Sequence, residues 1–189
     1  MAVKLDERPA PAPVDLRRLA RRRFIRGERI DINGLAQELG ISRATAYRWA
    51  GNVEELTSRV IGSLAEETFH LAFREAEGEG VERLIDAYRR GLRYMSTGPY
   101  RAWIEREDPE TALRIVASKF GHAQATSIRL WEDLLAEEVR CGRLELPVDA
   151  HTMAYAIVRL SESFLYADLI AGEEPDVEKA VEILKLLLR

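Results

Sequence analysis

The chain has 189 residues, of which 47% are hydrophobic and 32% charged, with a formal net charge of −4. That is length enough for one or two small domains with a real core, and no apolar run approaches the roughly 18 residues that a membrane span needs. One cysteine, Cys141, leaves no internal disulfide and fits a reducing cytoplasm, and the opening MAVKLDERPAPAP has no apolar segment of signal-peptide length. The charge is unevenly placed. Through Gly62 there are 12 Lys and Arg against 8 Asp and Glu, and the whole-chain totals of 28 and 32 leave 16 against 24 beyond it. A basic head on an acidic body directs the head toward phosphates. Alternating runs of β-branched residues are few, so the expected fold is all-α.

Residues 1–13, with Pro9, Pro11 and Pro13, read as a disordered arm. A first helix is predicted from Val14 to about Arg26, with Leu16, Leu19, Ala20, Phe24 and Ile25 inward. Around them stand Arg17, Arg18, Arg21, Arg22, Arg23 and Arg26, either a solvated face or a set of phosphate contacts. Asp31 is a good N-cap for a second helix carrying Leu35, Ala36 and Leu39. Gly40 sits where a helix ends in a left-handed residue, Ile41 plugs the turn, and Ser42 caps a third helix through Trp49. Asn52 and Glu55 form a capping pair for a fourth. This is the pattern of a helix-turn-helix head over 14–60. Arg43 suits the acceptor edge of guanine, Thr45 the thymine methyl, and Tyr47 and Arg48 the phosphates. Ser42, Arg43, Ala44, Thr45, Tyr47, Arg48, Trp49 and Asn52 are therefore the candidate DNA-binding residues, with double-stranded DNA as partner.

The body is expected over 61–189. A long helix runs from Val53 to about Ala76, and Gly78–Gly80 break it. Helices follow over Val81–Met95, ended by Gly98 and Pro99, and over the short stretch Tyr100–Glu107. Asp108 and Pro109 open another, which Gly121 interrupts before a helix from about Ala123 to Arg140. Asp149–Ala171 reads as one helix, with Met153, Ile157, Leu160 and Phe164 spaced 4, 3, 4. After Gly172 and Pro175, the last helix repeats that spacing in Val177, Val181, Leu184 and Leu188. Both apolar faces are wider than one neighbour needs, which suits either a broad core contact or a four-helix dimer interface.

No Gly-rich phosphate loop, Gly-x-Ser-x-Gly nucleophile or Cys/His cluster at metal spacing is present, so neither a catalytic site, a metal site nor a cofactor is expected. Aromatic residues are scattered through the body, Phe69, Phe73 and Trp131 among them. Candidate ligand-binding residues are Tyr88, Trp103, Phe120 and the stripe Tyr155, Arg159, Glu162 and Tyr166. If that stripe faces inward, Arg159 and Glu162 are paired beside a polar ligand; if outward, it is solvated.

The stretch SRATAYRWAGNVEEL resembles the end of the DNA-binding domain of TetR-type (tetracycline-repressor-like) regulators. Ser42, Arg43, Ala44, Thr45, Tyr47, Glu54 and Leu56 match; Trp49, Ala50 and Val53 depart from the pattern, and Val53 stands where a phosphate-binding Lys is usual. The C-terminal YAIVRLSESFLYADLIAGEEPDVEKAVEILKLLL is similar to the regulatory domain of the QsdR branch (quorum-sensing-degradation regulators). The resemblance implies a cytoplasmic homodimeric repressor, released from a palindromic operator by a small molecule such as a lactone or acyl compound. It also favours the dimer reading of the last two helices, through Met153, Ile157, Phe164, Val177, Val181, Leu184 and Leu188. The rival reading is a helical binder of small apolar molecules, or an enzyme, whose head no longer binds DNA.

Overall fold

The computed structural model describes residues 10–117 and 122–189. Among them are eleven helices and no strand: α1 (Pro13–Ile25), α2 (Ile32–Leu39), α3 (Arg43–Ala50), α4 (Val53–Glu75), α5 (Gly80–Met95), α6 (Gly98–Ile104), α7 (Pro109–Val116), α8 (His122–Arg140), α9 (Ala150–Leu165), α10 (Ala167–Ala171) and α11 (Val177–Leu187). The chain divides into two compact units between Thr57 and Ser58, within α4.

In the head, short polar side chains set the helix starts. Asp31 accepts from the amides of Asn33 and Gly34 at 3.1 and 3.0 Å. Gly40 has φ 66°, the left-handed conformation that ends α2 without a Cβ clash. The Ser42 and Thr45 side chains then lock together, since Ser42 Oγ accepts from the Thr45 amide at 3.1 Å and donates to Thr45 Oγ1 at 2.9 Å. Asn52 Oδ1 accepts from the Glu55 amide at 2.8 Å and so starts α4. One start lies a residue earlier than its spacing suggests: Asp15 reaches back to the Ala12 amide at 2.9 Å, and Pro13 takes the first helical position. Leu16, Leu19, Ala20 and Phe24 of α1, Ile32, Leu35 and Ala36 of α2, and Ala46 and Ala50 of α3 form the buried core. Each larger side chain contributes about 1.5–3 kcal/mol by leaving water. Across the core rim Arg23 pairs with Glu38 at 2.8 Å.

In the body, α9 packs against α8, α11 and α5, and α11 packs against α5 and α9. Three features depart from the periodicity. Gly98 and Pro99 lie inside α6 rather than only ending α5, because proline fits the first turn of a helix. The expected single helix over Asp149–Ala171 is broken at Tyr166 (φ −112°, ψ 21°), giving α9 and α10. The side chains expected at a dimer seam are also placed differently. Met153, Ile157, Val181, Leu184 and Leu188 are buried inside the protomer, while Phe164 and Val177 are half-buried. The reason is that α9 and α11 each face two or more helices of their own chain, which their inward rows fill. Apolar side chains remain exposed on adjoining rows, at Ile183 (38%) and Leu186 (60%) of α11 and Tyr155 (50%) of α9.

α4 meets the α8 start closely. Buried Ser58 accepts from the His122 amide at 2.7 Å and donates to the Ile115 carbonyl at 3.4 Å. One turn on, a Cβ at Gly62 would stand 3.3 Å from the His122 carbonyl carbon, tighter than an ordinary contact.

Candidate functional site

On the head, α3 turns Ala46 and Ala50 inward and leaves Arg43, Ala44, Tyr47 and Arg48 exposed. Thr45 and Trp49 are half-buried, while Ser42 and Asn52 are exposed caps of α3 and α4. The result is a two-turn helix with guanidinium, phenol and hydroxyl groups on one side, the size and chemistry that enter a major groove. Of the α1 arginines, Arg18 is engaged by Asp15 at 2.9 Å and Arg23 by Glu38, while Arg17, Arg22 and Arg26 are exposed.

The body holds a cavity of about 80 Å³. Helices α4, α5, α6, α7, α8, α9 and the Tyr166 break all contribute to its wall. The wall is largely apolar: Phe69, Phe73, Leu92, Met95, Trp131, Val158 and Leu165 line it. Trp131 meets Phe69 edge-on at 5.4 Å and Tyr88 at 5.9 Å between ring centres. Ser161 lies 3.2 Å from the Tyr88 hydroxyl, and burial pushes that phenol up to about 12.

One corner is polar. Buried Tyr100 and Tyr166 share a hydrogen bond between their hydroxyls, and burial holds both far in the protonated form. Beside them, the Glu162 carboxylate receives the Gln124 amide on its two oxygens at 2.8 and 3.1 Å, and Arg159 Nη1 at 2.6 Å. Burial raises the Glu162 pKa, and the bonds from Gln124 and Arg159 oppose that rise. Among the described residues no His, Cys, Asp and Glu gather in a group of three that could hold a metal ion.

The sequence model for the "tetracyclin repressor-like, C-terminal domain" matches residues 79–189. This chain belongs to the TetR family. As a TetR-family protein it is a ligand-responsive, DNA-binding transcriptional regulator. Among solved structures, the TetR-family transcriptional repressor QsdR of R. erythropolis is 30% identical, with a TM-score of 0.85 over 94% of this chain and 96% of that one. The repressor AlkX of Dietzia sp. strain DQ12-45-1b (20% identity, TM-score 0.63, 95% and 98% covered) shares the fold. So does FadR of Bacillus subtilis, solved with stearoyl-CoA (11% identity, TM-score 0.53, 94% and 98% covered). No curated protein matches the chain in sequence. Among the described residues no helix of this TetR-family regulator is long and apolar enough to cross a membrane.

The candidate ligand residues are divided by the structure. Tyr88, Glu162 and Tyr166 line the cavity. Trp103 is buried but is not part of the wall, Tyr155 and Arg159 face outward, and Phe120 lies outside the described residues. The expected Arg159–Glu162 pair is present, with Arg159 on the solvent side (48% exposed) and Glu162 on the cavity side. The expected stripe is thus split along its length: Tyr155 and Arg159 are exposed, while Glu162, one turn before the α9 end, and Tyr166 at the break are buried. Periodicity gave no sign of Tyr100 or Gln124, which become functional candidates only through partners 66 and 38 residues away.

Proposed function

We propose that this regulator is a homodimeric repressor, released from a near-palindromic operator when a small, mainly apolar molecule enters the body cavity. The cavity carries the reading: it has an aromatic and aliphatic wall, a polar corner, and a volume suited to a compact effector. The effector class implied by the sequence, a lactone or acyl compound, fits a wall of that kind. Support for the sign of regulation comes from QsdR, a transcriptional repressor 30% identical over most of the chain. Operator contacts are assigned to Arg43, Thr45, Tyr47 and Arg48 of α3, with Ser42, Ala44, Trp49 and Asn52 around them. The dimer seam is assigned to the exposed apolar rows of α9 and α11, around Tyr155, Ile183 and Leu186. A two-fold dimer would read half-sites about 34–36 Å apart. An effector shifts the balance only by favouring the DNA-free conformation.

The test is selection of duplexes from a random pool by the full chain, followed by salt titration of the winning site. A near-palindrome with half-sites about one duplex turn apart, and affinity falling steeply with salt, is expected. Selection of no common sequence would sink the reading.

A further inference from the structure

We propose that Glu162 closes the body cavity to anionic ligands and reserves it for uncharged, mainly apolar molecules carrying one hydrogen-bonding oxygen. The proposal rests on the reading of this cavity as the effector site and specifies what that site accepts.

Among the described residues the wall carries one carboxylic acid and no base. Glu162 is that acid, and no Lys, Arg or His of the described wall joins it. The carboxylate is surrounded only by donors, Gln124 on one side and Arg159 on the other. Arg159 reaches it from the solvent side and presents no surface to the cavity. A fatty-acid carboxylate or a phosphate brought to this corner therefore meets a like charge in a partly dry environment, with no cation among the described wall residues to receive it. The repulsion between two like charges grows as the surroundings lose water. An uncharged oxygen meets a different setting. In the Tyr100–Tyr166 pair one hydroxyl donates to the other, so the second keeps its own proton for a further acceptor. A carbonyl, ester or ether oxygen can take that proton while the rest of the ligand lies against Phe69, Phe73 and Trp131.

Two isomeric probes isolate the charge. Methyl pentanoate is an uncharged ester, and hexanoate is the anion of an acid with the same atoms. Each is titrated into the full chain at about pH 8, where carboxylates are ionised, and the Trp131 indole is followed by NMR. The ester is expected to bind about tenfold tighter or more than hexanoate. Loss of carboxylate hydration alone would also favour the ester, so the deciding comparison is Glu162→Gln. There the gap should shrink to about threefold or less through a gain by hexanoate. A third probe needs no variant. Hexylammonium carries a hydration burden of the same kind with the opposite sign, and the native chain should bind it tighter than hexanoate. Equal binding of ester and hexanoate, an unchanged gap in Glu162→Gln, or hexanoate binding better than hexylammonium overturns the proposal and leaves the cavity as the effector site. Absence of saturable binding by all three probes overturns the cavity reading and this proposal with it.

Discussion

The head and the body place function on opposite sides of their surfaces. In the head, Leu16, Phe24, Ile32 and Leu35 hold the fold, while Arg43, Tyr47 and Arg48 stand outside it with little part in the packing. In the body, Tyr88, Tyr100, Trp131, Glu162 and Tyr166 are at once packing residues and cavity wall. On the proposed reading, stability and recognition are carried by different residues in the head and by the same residues in the body. Substitutions in the head should separate the two properties, and those in the body should move them together.

The largest effect is expected from a pair of leucines on α11. Leu184→Glu places a charge among helices of its own protomer and should cost more than about 4 kcal/mol, seen as loss of the cooperative thermal transition. Leu186→Glu, 60% exposed, should leave the protomer folded and shift sedimentation toward monomer. A Leu184→Glu protein that melts normally would return the seam to the inner row. For the head, Arg43→Ala should weaken operator binding by about 1–3 kcal/mol and relax preference at one position per half-site, with the melting temperature unchanged. Tyr47→Phe should weaken all duplexes alike; equal, sequence-blind losses from both variants would remove the base-reading role from Arg43.

Smaller effects belong to the polar corner. Tyr100→Phe leaves the buried Tyr166 hydroxyl without its partner and should lower stability by about 1–2 kcal/mol in denaturant melts while weakening ester binding. If stability fell and binding did not, the corner would be structural only. Glu162→Gln should change stability by no more than about 1 kcal/mol, since Arg159 is half-exposed and its charge returns to water. Its signature is pH dependence. Burial raises the Glu162 pKa, so the native chain holds a proton that the unfolded chain has already released. That stabilisation is complete below the ordinary Glu range and is lost as pH rises through the raised value. The variant should lack this decline, and parallel stability curves for the two proteins would contradict it.

The head was legible because its signals are local. Asp31, Ser42 and Asn52 each act on an amide two or three residues on, and Gly40 marks its own turn. The body's helices were also legible, apart from the break at Tyr166, which no Gly or Pro announces. What the spacing could not convey was which neighbour each face meets. The rows containing Met153 and Val181 are apolar whether they touch a second chain or their own, and both are buried inside one protomer. The polar corner was half-visible: Glu162 and Tyr166 stood out on one helix, whereas Tyr100 and Gln124 reach them only after the chain has folded.

The close meeting of α4 with the start of α8 bears on how this lineage can drift. At Gly62 the obstacle to a side chain is the His122 backbone, which no rotamer change can move aside. Ser58, a turn earlier, is held to the same segment by its hydroxyl. Neighbouring Ser63 is exposed and free to vary in kind. Along this one helix, then, tolerance to mutation alternates sharply with the turn. A library covering α4 would recover almost every residue type at 63 and return mostly glycine, with alanine as the main alternative, at 62.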